Sequence, residues 1–167
     1  MAAREDKKVK LEKSTPEGIE AIGAWWDDPD VRAGFGVTPL MESMPGYDRS
    51  KVLPKVEQNW FIAYDDVRQP VAAVNIQKCK SCGHNHEAKG ETALVMSWVR
   101  NPLRKGEGFG TAAVQKALTL DLVRKADVLC CHIISENADS LTLAMQLDFE
   151  FVEAERASLY YRRVRRS

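Results

Sequence analysis

The sequence has no excess of charge of either sign and no long apolar run. Lys plus Arg number 24 and Asp plus Glu number 24, so no net field attracts nucleic acid or an acidic membrane. No segment approaches the ~18 consecutive apolar residues of a membrane span, and the first residues lack the apolar stretch of a signal peptide. We therefore expect a cytoplasmic protein without a membrane or nucleic-acid partner. The composition is compatible with a homodimer.

Cysteine and histidine are scarce and are concentrated in one segment. Cys79, Cys82, His84 and His86 fall within eight residues, and two of the three histidines of the chain are among them. Cytoplasmic thiols stay reduced, so a disulfide is not the expected use of these cysteines. Cys-x-x-Cys-Gly is the spelling of a zinc knuckle, which predicts a tetrahedral zinc site formed by these four side chains.

Two alternatives to this zinc site remain open. In one, the metal takes some of its ligands from Cys130, Cys131 or His132 in a later strand. In the other there is no metal: residues 79–90 form a polar loop with Cys79 buried, and Cys130 and Cys131 are core residues. Free cysteine is among the most buried residue types, which favours the second alternative for the strand cysteines.

The length of 167 residues and the 44% hydrophobic content predict one globular domain over residues 1–167. We expect residues 1–7 to be a disordered N-terminus and 79–90 to be an inserted loop. Period-two and helical spacing predict the other elements. They are a strand over 9–13, a helix over 16–26, a hairpin of 60–64 with 71–76, strands over 92–99 and 128–134, helices over 111–125 and 137–145, and a closing hairpin of 149–152 with 157–161.

Residues 34–59 are punctuated by glycine and proline and predict a loop-rich segment with a helix near 50–58. In an enzyme, such a segment can form one side of the substrate site. An irregular connection without a function explains the same composition equally well.

Glycine recurs at 106, 108 and 110, directly after a predicted strand and directly before a predicted helix. At such a junction small residues let the backbone approach a phosphate, and the first N–H groups of the helix point at it. A P-loop is excluded because the lysine precedes the glycines. A dinucleotide-binding turn follows the first strand of its fold, whereas about 100 residues precede this one. We call residues 105–111 the glycine turn.

The spelling of the glycine turn resembles motif A of the GNAT superfamily of acyl-CoA-dependent N-acyltransferases, Arg/Gln-x-x-Gly-x-Gly/Ala, with Lys105 in the basic position. Three further segments are similar to that family. They are Asn137-Ala-Asp-Ser140, Leu147-Asp-Phe-Glu-Phe151, and Trp25-Trp26-Asp-Asp-Pro-Asp-Val-Arg32, of which the last resembles the branch of ribosomal-protein N-terminal acetyltransferases of RimJ/RimL type and some aminoglycoside acetyltransferases. The resemblance spans about residues 9–155.

This resemblance implies a fold and a cofactor site. The fold would be a single α/β (α+β) domain, with a mixed, mostly antiparallel sheet, a splayed pair of parallel strands and flanking helices. Acetyl-CoA would bind at the splayed pair. Its pyrophosphate would contact the backbone of the glycine turn. Its pantetheine arm would lie along the predicted strand over 92–99, and the start of the predicted helix over 137–145 would border the opposite side of the CoA. The residues so implied are Lys105, Gly106, Gly108, Gly110, Thr111, Trp98, Val99, Asn137 and Ser140.

The chemistry implied by the resemblance is direct attack of an amine on the thioester, which requires a base because free amines are mostly protonated at neutral pH. Glu91 is the predicted base, and Ser97 on the same strand face is the second catalytic candidate. A solvated Glu91 explains the sequence equally well. The tyrosine that many family members use as general acid corresponds to Ala144, and the glycine of the family's Leu-Gly-Phe segment corresponds to Asp148.

The predicted function is therefore transfer of the acetyl group of acetyl-CoA to a primary amine. The acceptor is a protein N-terminus, a lysine side chain or a small-molecule amine. The alternative is a non-catalytic module on the same fold that binds CoA or interacts with partners through the zinc loop.

Overall fold

The computed structural model describes residues 7–79 and 90–165. The strands are β1 Lys10–Lys13, β2 Trp60–Tyr64, β3 Pro70–Lys78, β4 Ala93–Arg100, β5 Val128–Ile134, β6 Glu150–Glu155 and β7 Ser158–Val164. The α-helices are α1 Pro16–Gly23, α2 Pro29–Gly34, α3 Pro39–Glu42, α4 Phe109–Ala117, α5 Asp121–Arg124 and α6 Ala138–Gln146, with 3-10 turns at Ala24–Asp27, Arg49–Lys51 and Pro102–Arg104. None of these helices has the length and apolar character needed to cross a bilayer.

The strands form one sheet in the order β1-β2-β3-β4-β5-β7-β6. Every neighbouring pair is antiparallel except β4 and β5, which run parallel because α4 and α5 connect them. This is a single α/β domain with a mixed, mostly antiparallel sheet flanked by helices, so the predicted fold class is confirmed.

Helices cover both faces of the sheet. On one face α4 and α6 bury the main core against β2 to β5, with Ala113, Val114 and Ala144 fully inaccessible. On the other face α1 and the following turn pack Ile22 and Trp26 against β2 and β3. We call these the main-core face and the α1 face. On the α1 face, the described residues of β4, β5 and β7 form a small cluster of Ala93, Val128, Cys130 and Tyr160.

The family-like segment around Trp26 has a local structural explanation. Asp28 is the N-cap of α2, where its carboxylate accepts from the backbone N–H groups of Asp30 and Val31 at 2.9 and 3.2 Å. Pro29 occupies the first helical position, where its missing N–H costs no hydrogen bond. The spelling Asp-Pro-Asp thus begins a helix immediately after the buried tryptophans.

Two helix predictions were wrong. The predicted helix over 111–125 is two helices, because Leu120 is extended and Thr119 bonds its hydroxyl to the carbonyl of Lys116 at 2.7 Å. The break lets Leu118 and Leu120 pack against the main core. The predicted helix near 50–58 is a 3-10 turn at Arg49–Lys51 followed by irregular chain, as expected with Pro54 in its middle.

Asp148 is a second informative position, since its φ is +61°. Left-handed backbone is unfavourable for most side chains but is tolerated by Asp and Asn, and it costs glycine nothing. The glycine found here in the resembling family and the aspartate of this chain therefore satisfy the same backbone requirement before Phe149.

Two glycines of α1 make a matched test of this packing. A Cβ at Gly18 would lie 2.7 Å from Cδ1 of the fully buried Ile62, whereas a Cβ at Gly23 would meet nothing within 4 Å. Gly18→Ala should lower the free energy of unfolding by about 1 kcal/mol through overpacking. Gly23→Ala should raise it by about 0.5 kcal/mol, because alanine loses less backbone entropy. Urea denaturation followed by tryptophan fluorescence measures both, and equal stabilities would contradict the packing described.

Candidate active site

The central feature of the site is the separation of β4 from β5. Their parallel ladder has only three pairs, Ala93↔Val128, Leu94↔Leu129 and Val95↔Cys130. Beyond Val95 the two strands no longer pair, although β4 remains paired with β3 as far as Arg100 and β5 with β7 as far as Ile134. A gap therefore opens inside the sheet, and we call it the cleft.

The cleft is a cavity of about 220 Å³. Met96, Ser97 and Trp98 form its β4 side, and residues 131–134 form its β5 side. The remaining sides come from the end of α2, the start of α6 and the start of β7. These contribute Gly34 and Phe35, Asn137 and Ser140, and Ser158. A Cβ at Gly34 would lie 3.2 Å from Nδ2 of Asn137, so α2 reaches the start of α6 across the cleft.

The glycine turn lies at the same edge of the sheet, between the end of β4 and α4. Gly106 and Gly108 have φ values of +81° and +87°, which favour glycine at both positions. Gly108 is the N-cap of α4, and no side chain caps that helix. The first N–H groups of α4 thus face outward beside the cleft, together with the positive end of the helix dipole.

An ion-pair network holds the glycine turn to the rest of the sheet. Arg104 donates to both carboxylate oxygens of Glu107 at 2.7 and 2.9 Å and to Oδ2 of Asp65 at 3.1 Å, and its guanidinium lies 4.7 Å from the Phe109 ring centroid. The N–H of Gln69 and Arg104 hold the pKa of Asp65 below its ordinary value. Asp65 is 8% exposed and lies in the connection between β2 and β3. Through Arg104 it anchors the start of the glycine turn.

Two lysines provide positive charge beside the glycine turn. Lys105 Nζ lies 3.8 Å from a carboxylate oxygen of Asp30, with both side chains largely exposed. Lys7 lies 5.7 Å from the centroid of the Phe109 ring. Both cations can reach an anionic ligand at the turn, because their present contacts are exposed and weak.

Asn137, Ser140 and Trp98 meet at the side of the cleft formed by α6. Asn137 is the N-cap of α6, where its side-chain oxygen accepts from the backbone N–H of Ser140 at 3.2 Å. Ser140 Oγ accepts from the Trp98 indole N–H at 3.2 Å. Ala144, one turn further along α6, is fully buried in the main core and offers no acid to the cleft.

A row of polar residues crosses the α1 face at the level of the cleft. Asn75 pairs with Ser97 across β3 and β4, and His132 pairs with Tyr160 across β5 and β7. Asn75 is 6% exposed, and its Nδ2 has no hydrogen-bond partner among the described residues. His132 is exposed in the cleft. The sequence alone predicts His132 only as an alternative metal ligand, although it is the one polar residue in an otherwise apolar strand.

The structure does not bring Glu91 into the cleft. Glu91 precedes β4 by two residues and lies at the paired end of the β4–β5 ladder. Ser97 is six positions further along the chain, which corresponds to about 20 Å of extended chain. Glu91 and Ser97 share one strand face, but only Ser97 lines the cleft.

The strand cysteines are core residues. Cys130 and Cys131 are 0% and 1% exposed, and Cys130 Sγ lies 2.9 Å from the Tyr160 hydroxyl. Burial raises the pKa of both thiols. Among the described residues no group of three or more His, Cys, Asp or Glu side chains could hold a metal. The alternative in which Cys130, Cys131 or His132 shares a metal with the loop stays a prediction, because the loop ligands other than Cys79 are outside the described residues. Cys79 is disulfide-bonded, so the expectation that a disulfide is not the use of these cysteines is wrong for Cys79. Cys82, His84 and His86 lie outside the described residues.

A larger cavity of about 570 Å³ lies at the other end of β5, beside Leu129. Arg124, Arg163, Asp148 and Glu150 rim it. It is remote from the glycine turn and from the opening between β4 and β5, so it is not part of the site described above.

Comparison with solved structures identifies the fold. The chain is similar to a GNAT-family acetyltransferase from Listeria monocytogenes (12% identity, 97% of this chain and 98% of that chain, TM-score 0.68). It is also similar to the aminoglycoside N(6')-acetyltransferase of Legionella pneumophila (13%, 95% and 92%, 0.65). A third similar structure, yncA from Salmonella typhimurium, was solved with its cofactor acetyl-CoA (14%, 95% and 94%, 0.65).

No protein-family model matches the sequence, and no curated protein matches it significantly. The chain therefore has the fold of these GNAT acetyltransferases over almost its whole length, although its sequence is only 12–14% identical to theirs.

The anchor of the glycine turn can be tested through its pH dependence. Asp65→Asn should lower the melting temperature near pH 7, because an amide cannot form the ion pair with Arg104. The pKa of Asp65 is lower in the folded protein than its ordinary value of 3.8. Its carboxylate therefore stabilises the fold fully at a pH above 3.8, and this stabilisation is lost as the pH falls through the pKa of the folded state. The difference between variant and wild type should therefore shrink below about pH 4. Calorimetry across this range measures it, and a difference independent of pH would contradict the role.

Proposed function

We propose that the protein is an N-acyltransferase that transfers the acetyl group of acetyl-CoA to a primary amine. The observation that carries this proposal is the juxtaposition of two openings: the cleft between β4 and β5, and the uncapped start of α4 beside it. A long ligand with an anionic middle and a narrow reactive arm fits both at once.

The glycine turn fits the pyrophosphate of CoA. The backbone N–H groups of Lys105, Gly106, Gly108, Gly110 and Thr111 would hold it, with the α4 dipole adding a favourable field. A Cβ at Gly106 would meet no protein atom within 4 Å, and one at Gly108 would meet only Lys7 Cγ at 3.7 Å. Space is therefore present on the surface of the turn, where a side chain would obstruct the approach of a phosphate.

The cleft fits the pantetheine arm and the thioester. The edge of β4 that faces β5 forms no ladder beyond Val95, so its backbone at Trp98 and Val99 would pair with the arm. Asn137 and Ser140 would border the arm from α6. Bound acetyl-CoA would supply an activated acyl thioester, and a backbone N–H of β4 would polarise its carbonyl in the manner of an oxyanion hole.

The acceptor would enter from the α1 face, where Gly34, Phe35 and Ser158 border the cleft. Ser97 lies on this side and would orient the amine by hydrogen bonding. Residues 39–44 expose Leu40, Met41 and Met44, with Leu40 73% accessible, next to α2. These apolar side chains favour an acceptor with an apolar part, such as a protein N-terminus, a lysine-containing segment or an amphipathic small amine.

Two finer assignments are also proposals. The Asp28-Pro29 helix start supports a relationship to the RimJ/RimL-type branch, and the name of the Legionella neighbour supports a small-molecule acceptor. A zinc site in the loop of residues 79–90 stays a prediction from the Cys-x-x-Cys-Gly spelling. Metal analysis of protein purified without a histidine tag would decide it.

The donor site is tested by a matched pair of glycine variants. Gly108→Val should weaken CoA binding at least about tenfold, since the new side chain would fill the surface of the glycine turn, and this loss corresponds to about 1.4 kcal/mol. Gly90→Val is the control, because Gly90 has φ +69° and carries a similar backbone penalty away from the turn. Isothermal titration calorimetry with CoA measures both affinities. Equal affinities for the two variants would refute the assignment of the pyrophosphate site.

The reaction itself is tested with acetyl-CoA and a panel of amines. Kanamycin, spermidine, L-lysine and a peptide with a free N-terminal serine represent the acceptor classes. Release of free CoA with at least one amine, without added metal, is the expected result. CoA binding without turnover on any of them would favour the alternative of a non-catalytic CoA-binding module.

A further inference from the structure

The structure identifies one exposed ionisable side chain in the cleft. Of the described residues that line it, only Cys131 and His132 carry ionisable groups. Cys131 is 1% exposed and points into the main core, and burial raises its pKa, so its thiol stays protonated and enclosed. His132 is exposed, and imidazole is the side chain that enzymes use most often for proton transfer.

We propose that His132 is the catalytic base that takes a proton from the acceptor amine. This inference rests on the proposed function and adds to it the group that activates the acceptor.

The strand alternation places His132 on the side from which an acceptor would enter. Cys131 and Ile133 are buried in the main core with α4 and α6, so His132 between them projects to the α1 face. Ser97 lies on that same face, since its cross-strand partner Asn75 follows Ala73 of the α1-side core by two residues. His132 and Ser97 therefore border the cleft from opposite strands.

The imidazole is supported by a rigid neighbour. The ring centroids of His132 and Tyr160 are 5.0 Å apart with a tilt of 39°. Tyr160 is 1% exposed, and its hydroxyl is bonded to Cys130 Sγ at 2.9 Å. This contact fixes the phenol ring on which the imidazole rests. A base held in this way keeps one orientation toward the cleft, which proton transfer requires.

Within residues 7–79 and 90–165, few charged groups lie around His132. Burial raises the pKa of Tyr160 and of Cys130, so both remain neutral at physiological pH. Arg162 of β7 and Glu153 of β6 carry opposite charges on the same face, and each acts on Tyr160. Glu91, before β4, carries a negative charge that acts on Cys130, two residues before His132 on the same face. The residues of α2 and α6 that line the cleft are uncharged: Gly34, Phe35, Asn137 and Ser140.

The proton balance of the step is simple. The acceptor ammonium gives one proton to neutral His132, which later returns it to solvent. The amine nitrogen then uses its lone pair to form the amide bond to the acyl carbon. The carbon–sulfur bond breaks with its electron pair going to sulfur, and the second proton of the nitrogen passes to that sulfur. The products are the N-acetylated amine and free CoA thiol, without any oxidant, reductant or metal.

The first test does not depend on turnover. In NMR spectra of histidine-labelled protein, the His132 imidazole signal is the one lost in His132→Asn. Adding CoA should shift that signal in the wild type. If CoA binds by calorimetry and the signal does not move, His132 is not at the reacting end of the site and the proposal is wrong. Failure of CoA to bind at all would refute the proposed function instead.

The second test uses kinetics with the best amine of the panel above. His132→Asn should lower kcat about 10²- to 10³-fold with CoA affinity changed by less than about threefold, as expected for removal of a general base. The pH profile of kcat/KM for the amine should lose its acidic inflection in the variant. If Glu91→Gln removes the activity and His132→Asn retains it, the proposal is overturned.

Discussion

The site depends on the separation of β4 from β5. This separation results from the hydrogen bonds that each strand forms at its two ends. At their amino ends the strands are held together, since Asp127 accepts from the Thr92 N–H at 2.9 Å and donates its own N–H to the Thr92 carbonyl at 2.8 Å. At their carboxyl ends each is held to its outer neighbour. Asn101 bonds to Val71 and Pro70 of β3, and Ser135 bonds to Ala157 before β7. The sheet therefore opens at one end only.

The cleft and the glycine turn lie side by side because of the connection from β4 to α4. The chain leaves β4 at its open end, makes the turn and starts α4 there, so the uncapped amides of α4 necessarily lie beside the cleft. Ligands of open α/β sheets bind at the carboxyl ends of parallel strands for the same reason. The network of Arg104, Glu107 and Asp65 then holds the glycine turn to the β2–β3 corner.

The sequence predicted the elements whose signals are local, and it failed where tertiary packing decides. The strands of the sheet, the helix start at Thr15-Pro16 and the Asn137 cap follow from alternation and capping. The break at Thr119-Leu120 could not be predicted from local signals. It depends on the packing of Leu118 and Leu120 against the main core. Pro54 should have prevented the helix predicted near 50–58.

The candidate site shows the same division. The glycine turn has a distinct spelling and could be located from the residues alone. His132 could not be located in this way. Its place in the cleft depends on which strand lies beside β5 and on where the β4–β5 ladder ends. The prediction of Glu91 as the base depends on strand-face alternation. This pattern gives the side of the sheet on which a residue lies, but not its distance along the strand.

The most direct test of the account is a crystal structure of the protein with acetyl-CoA. The account predicts density for the pyrophosphate against residues 105–111, with the pantetheine arm in the cleft between β4 and β5 and its acetyl end near Ser97 and His132. Acetyl-CoA bound elsewhere, for example in the cavity beside Leu129 and Arg163, with the cleft closed or empty, would contradict it.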